Sequence, residues 1–178
     1  MKRETDKEKQ TQRRLHDLLR QGTEALHRGE ITRAIRLLER AHRLDPANVD
    51  VALNLGGALI LAQAFTRAVS ILEPLSERDP HNPMVWTNLG AAYLGNPVLA
   101  TDHDQKRAIA AFERAIQLNP ATPNVAYNLG LVHRDRDEVE RALYWFERAL
   151  ETDPNDRDAR SHVEKLTHDA DPGAGGAS

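Results

Sequence analysis

The chain has 178 residues, 40% hydrophobic and 29% charged, which is enough to bury a core. Its 24 Lys and Arg against 27 Asp and Glu give a net charge of −3, so no positive field is available to hold a nucleic acid, and the absence of cysteine excludes disulfides, thiol catalysis and thiolate zinc sites. Aromatic residues make up only 4% and apolar residues recur at helical spacing, which favours an all-helical protein over a sandwich or barrel.

The opening, MKRETDKEKQTQRR, is nearly all charge. It lacks the apolar stretch of a secretory signal, and no later run is long and apolar enough to cross a bilayer, so a cytoplasmic protein is expected and no membrane partner. Two readings of residues 1–14 stay open. The charge density alone suits a disordered segment. Thr5-x-x-Glu8, however, has the form of a capping box, and Leu15, Leu18 and Leu19 follow at helical spacing, which would start the first helix near Asp6 with a solvated, mixed-charge face.

Four similar units follow. Residues 15–48 contain Gly22, Ala34, Leu38, Ala41 and Asp45-Pro46, and residues 49–82 contain Leu55-Gly56, Ala68, Leu72, Leu75 and Asp79-Pro80. Residues 83–122 carry Trp86, Leu89-Gly90, Tyr93, Ala108, Phe112, Ala115 and Asn119-Pro120. Residues 123–156 carry Ala126, Leu129-Gly130, Ala142, Phe146, Ala149 and Asp153-Pro154. The terminal prolines are spaced by 34, 40 and 34 residues, so six residues are inserted in the third unit while the register holds on either side. Each unit reads as a helical hairpin whose glycine, late in the first helix, lets the backbones approach. Gly56, Gly90 and Gly130 are expected to face Ala68, Ala108 and Ala142.

Local signals refine the elements. Pro74 removes a backbone donor inside a helix and should bend it near Ser70. Asn82-Pro83 and Thr122-Pro123 read as helix starts, a cap followed by proline at the first position. In the insertion, Gly95 can end one helix, Pro97 prevents its continuation, and Asp102 with Gln105 can cap a second helix that begins early. Val98 and Leu99 either meet a partner or fold back on the neighbouring hairpin. Residues 157–168 form a capping helix with Ala159, Val163 and Leu166 inward and Arg160, Glu164 and Lys165 outward, and 169–178, DADPGAGGAS, read as a flexible tail.

The 34-residue period with its Trp, Leu-Gly, Tyr, Ala, Phe, Ala and Pro anchors resembles the tetratricopeptide repeat, and four copies cover residues 15–156. Gln21, His133 and Leu75 depart from the anchors Leu, Tyr and Ala. The resemblance implies an all-α fold, a right-handed α-solenoid of four helix-turn-helix repeats closed by the C-terminal capping helix. Helices this short are marginal alone in water, so the hairpins must stack to stay folded.

Chemistry has little foothold. The eight histidines are scattered, no paired His at i, i+4 builds a metal face, and Asp102-His103-Asp104 point in different directions on a helix. No metal, cofactor or catalytic residue is expected, and an enzyme would require converging ionisable groups that the sequence does not show.

The set that stands out is Asn54, Asn88 and Asn128, each immediately before the Leu-Gly pair of its unit, with Arg20 at the equivalent place in the first. The resemblance implies that first helices line a concave surface, where asparagine rows of this kind grip an extended peptide through its backbone. An amide supplies both donor and acceptor and so suits a peptide group. Thr87, Tyr127, Leu131 and Arg134 complete the expected peptide-binding set, with Leu53, Gly57, Ile60 and Ala91 beside them. The family's carboxylate-clamp variant is disfavoured, because its basic slots hold Leu19, Met84 and Asn88 here and only Asn54 matches. The expected function is a non-catalytic adaptor that binds a protein or peptide segment in the concave groove. The alternative is a self-association module in which edge hairpins or the insertion join copies of the chain.

Overall fold

The computed structural model describes residues 2–97 and 99–170, with backbone alone for 2–5 and 170. The described residues form helices α1 (Lys2–His27), α2 (Ile31–Leu44), α3 (Val49–Leu61), α4 (Phe65–Arg78), α5 (Pro83–Leu94), α6 (Asp102–Leu118), α7 (Val125–Asp135), α8 (Val139–Thr152) and α9 (Arg157–Ala170). Consecutive helices pair as hairpins, and the second helix of each hairpin packs on the first of the next, with α9 closing the stack on α8. The fold is an all-α helical solenoid. Its core is a chain of small and large apolar side chains running through the stack, Leu38, Leu72, Phe112 and Phe146 being fully buried in successive hairpins.

What the glycines face differs from the sequence reading. A Cβ built on Gly22, Gly56, Gly90 or Gly130 would lie 2.7, 2.5, 2.6 or 2.7 Å from the side chains of Leu38, Leu72, Phe112 and Phe146 respectively. Each glycine therefore makes the hole that a large residue of the second helix fills. Ala34, Ala68, Ala108 and Ala142 sit one turn earlier and are buried to 0% exposure. Close packing demands a small residue wherever two backbones nearly touch, and a small residue opposite each large one. Each glycine meets the second demand.

The three-residue connections inside the first, second and fourth hairpins share one solution. Gly29, Gln63 and Asp137 have φ of +71°, +57° and +58°, and the residue after each donates its N–H five residues back, Glu30 to Ala25, Ala64 to Leu59 and Glu138 to His133. These are Schellman-type ends, in which one left-handed residue turns the chain and satisfies a last carbonyl of the helix.

The third connection spans 95–101, and α6 has 17 residues against 14 in α2, α4 and α8. Gly95 ends α5 with φ 57° and ψ −129°, a conformation that favours glycine. The cap of α6 is Thr101 with Asp104, not Asp102 with Gln105. Asp104 N donates to Thr101 Oγ1 at 3.2 Å, and Thr101 N donates back to Asp104 Oδ2 at 3.1 Å. Thr101 wins because its extended backbone aims the hydroxyl at the third helical N–H. The extra turn of α6 docks on the following hairpin, where Arg136 donates to Asp102 Oδ1 at 2.7 Å and Gln105 Oε1 at 3.1 Å. Leu99, 75% exposed, stands at the rim of a cleft that it shares with Phe65, Thr66 and Val69 of the preceding hairpin, and Val98 lies outside the described residues.

Four other expectations meet the structure as follows. The first helix begins at Lys2 rather than near Asp6, and residues 6–14 are wholly exposed. Asn82 caps α5 with Pro83 at the first position, as its sequence suggests. Thr122 does not cap α7. Its hydroxyl donates to Asn119 O at 2.7 Å, and α7 starts at Val125 after Asn124, whose φ of 61° turns the chain into the helix. Residues 169 and 170 belong to α9, and the remaining tail, 171–178, lies outside the described residues.

Candidate peptide-binding wall

Some of the first helices touch one another across the hairpins. α3 packs directly on both α1 and α5, and α9 meets α7 through Tyr127, His162 and Arg134. Successive second helices are joined by ion pairs, Arg67 of α4 to Glu39 of α2 and Arg107 of α6 to Glu73 of α4.

The asparagines stand half-exposed on this wall. Asn54 donates its amide to Asp50 O at 2.8 Å, which turns that nitrogen into its own helix. Asn88 lies over the neighbouring hairpin, its Nδ2 3.7 Å from where a Cβ on Gly57 would be, so the missing side chain leaves Asn88 room at ordinary contact distance. Asn128 is half-exposed on α7, and Leu131 packs against the core beneath. Thr87 is turned to its own helix, Oγ1 donating to Pro83 O at 2.9 Å. Arg20 is exposed and paired with Glu24 at 2.8 Å.

Tyr127 and Arg134 belong to a different constellation at the end of the wall. Tyr127 sets its ring edge-on to Phe146 at 5.7 Å, with burial and then Asp158 and Asp156 holding its phenol above the usual range. Arg134 holds Asp135 Oδ1 at 2.6 and 2.9 Å and stands 3.4 Å from His162 Nε2. His162 stacks on Phe146 with centroids 4.6 Å apart, and burial, followed by the Arg134 charge, pushes its pKa below the usual value. The neutral ring can accept from Arg134, which a protonated ring cannot. Sequence reasoning missed His162, although it stands 34 residues after Asn128 and so continues the asparagine row. Its capping-helix context, which lacks the Leu-Gly pair, hid it.

Behind the wall, His133 is 2% exposed in the slot that Tyr93 fills one hairpin earlier. Its Nδ1 lies 2.7 Å from Glu138 Oε2, and Arg136 donates to Glu138 Oε1 at 2.9 Å, which together lower the Glu138 carboxyl to about 2. Among the described residues no group of three or more His, Asp and Glu could hold a metal ion, and no helix is long and apolar enough to cross a membrane.

A stack of helical hairpins at a 34-residue period, with glycines opened for large residues of the partner helix, defines the class as a helical-repeat solenoid. Two tetratricopeptide repeat profiles match the chain, one over residues 25–92 and the other over 103–157. The chain belongs to the tetratricopeptide repeat family. No curated protein matches it. Among solved structures it is similar to the thermophilic tetratricopeptide protein TTC0263 of Thermus thermophilus, at 21% identity over 88% of this chain and 82% of that one, with a TM-score of 0.74. It is likewise similar to MamA of Desulfovibrio magneticus RS-1, at 21% identity over 80% and 77% with a TM-score of 0.69. MamA of strain AMB-1 matches at 26% identity over 88% and 82% with a TM-score of 0.69. Proteins of this family typically act as non-catalytic scaffolds for protein interaction, and this chain is a protein-interaction scaffold in that general sense.

Proposed function

We propose that the chain is a cytoplasmic, non-catalytic adaptor that holds an extended segment of another protein along the wall of first helices, with Asn54, Asn88 and Asn128 hydrogen-bonding the ligand backbone. The observation that carries this reading is the seat of Asn88 over Gly57, a half-exposed amide above a position with no side chain. A main chain passing there meets a donor and an acceptor and encounters no steric block. Thr87 and Leu131 flank that path. Tyr127, Arg134 and His162 close it at the α9 end with an aromatic and cationic stop, and Arg20 adds charge at the other end.

The test is capture from extract by the immobilised parent and by the triple variant Asn54→Ala, Asn88→Ala, Asn128→Ala, followed by titration of the recovered partner. Each net hydrogen bond is worth about 0.5–1.5 kcal/mol, so affinity should drop by at least an order of magnitude while the melting temperature stays near the parent's. Equal recovery of the same partners by both proteins would remove the basis for this reading.

A further inference from the structure

The two ends of the stack carry opposite and unmatched charge. Residues 6–14 of α1 run beyond the packed part of the helix, every one exposed. They present Lys7, Lys9, Arg13 and Arg14 against Asp6 and Glu8, and none of these four cations forms an ion pair among the described residues. At the other end, Glu140, Tyr144, Glu147 and Glu151 follow one another at helical spacing on a single face of α8. All four are exposed, Tyr144 to 54%, and the three glutamates are likewise unpaired among the described residues.

A second observation shows what such a glutamate takes. Glu39, Glu73, Glu113 and Glu147 occupy the same position in successive second helices, as do Arg33, Arg67, Arg107 and Arg141. Glu39 holds Arg67 and Glu73 holds Arg107, each glutamate accepting the arginine of the next hairpin. At the third step Arg141 turns instead to Glu138 at 3.3 Å, which leaves Glu113 unpaired among the described residues, and the fourth glutamate, Glu147, has no following hairpin to supply an arginine. Glu147 has the same placement as Glu39 and Glu73, and no arginine among the described residues reaches it.

We propose that the Lys7–Arg14 stretch of α1 in one copy docks on the Glu140–Tyr144–Glu147–Glu151 face of α8 in a second copy, so that the chain associates with itself through opposite ends. Within one chain the two faces do not meet, since α1 packs on α2 and α3 and α8 on α7 and α9, with two hairpins between. Lys7 and Arg14, seven residues apart on one side of α1, match the spacing of Glu140 and Glu147 on α8, while Lys9 and Arg13 lie on the other side of α1. At 1.5 Å per helical residue the basic stretch is about 10 Å long and the acidic face about 16 Å. Tyr144 at the middle of the acidic face offers an aromatic ring to an arginine of the incoming helix. A contact between unlike surfaces closes as a reciprocal dimer or continues as a chain of copies, and either form satisfies the proposal. Because the charges are exposed, the association weakens as salt is raised.

The test is sedimentation velocity of the full chain over a concentration series at low and high ionic strength. At low salt the mass should rise above the 19.9 kDa monomer with concentration, and high salt should reverse the rise. The charge-reversed variants K7E/K9E/R13E/R14E and E140K/E147K/E151K should each remain monomeric, and a mixture of the two should associate again. Helicity and melting of both variants check that they fold. A parent that stays monomeric at low salt overturns the proposal. So does association that survives both reversals, or a mixture that fails to recover it. The triple asparagine variant should assemble as the parent does, which separates this contact from the peptide-binding wall.

Discussion

The third and fourth hairpins solve one packing problem in two ways. In the third, Tyr93 and Arg107 span the layer boundary together: the Tyr93 hydroxyl donates to Glu73 of the preceding hairpin at 2.9 Å, and Arg107 covers the ring at 3.8 Å from the centroid while also holding Glu73. In the fourth, the same slot holds His133, too short to cross, which bonds Glu138 in its own turn. The coupling to the preceding hairpin passes to Arg136, which reaches back to the extra turn of α6. The six inserted residues thus supply a tie that a tyrosine supplies elsewhere. A solenoid needs each layer tied to its neighbour, and the tie can move from a side chain in the slot to the next turn of backbone.

The comparison breaks most visibly at the large residues under the glycines. Phe112→Ala and Phe146→Ala should each cost about 3–5 kcal/mol, measured by denaturant unfolding. Phe146→Ala should also release α9, because Phe146 carries the stacked His162, and amide exchange should show α9 opening in this variant and staying protected in Phe112→Ala. Equal protection of α9 in both would mean that the cap is held elsewhere.

A smaller effect comes from filling the hole. Gly90→Ala and Gly130→Ala put a Cβ within 2.6 and 2.7 Å of a phenylalanine ring and should each cost about 1–3 kcal/mol by overpacking. Melting temperatures equal to the parent's would mean that the rings can retreat.

The finest distinction is in pH. Glu138 sits at about 2, below the ordinary glutamate value of 4.5, so the folded state binds its proton less readily than the unfolded chain. Its contribution to stability is present above pH 4.5 and is lost as pH falls from there to about 2. Tyr93 is displaced the other way, above 10.0, first by burial and then by Glu73, so its contribution is complete below pH 10.0 and is lost as pH rises beyond it. Glu138→Gln should therefore flatten the acid limb of a stability–pH curve and Tyr93→Phe the alkaline limb. A Glu138→Gln curve that keeps the parent's acid slope would place the acid sensitivity elsewhere.

Much of the architecture was legible because it is periodic. Gly22, Gly56, Gly90 and Gly130, with the prolines at 46, 80, 120 and 154, mark the hairpins by spacing alone. The Asn82-Pro83 cap was readable because both of its signals are local. The Thr101 cap was not, since Asp102 with Gln105 offers the same pattern one residue later and only the backbone direction decides between them. Thr122-Pro123 misled for a related reason: the hydroxyl found a closer acceptor in Asn119 and the helix waited for Asn124. At the candidate site the asparagine row was visible as a repeat. Its continuation in His162 keeps the 34-residue spacing but lacks the Leu-Gly context, and the assignment of Tyr127 and Arg134 to the α9 contact depended on residues 28–35 positions apart in the chain meeting in space.

Sequence alone determined the number of hairpins, their order and the place of the insertion, because these follow from the period of small and apolar residues along the chain. Tertiary structure decided which residue each glycine admits, how the fourth layer is tied to the third, and that Glu113 is left without the arginine its position receives in the earlier hairpins. Those outcomes depend on distances between separate helices, which spacing along one helix does not contain.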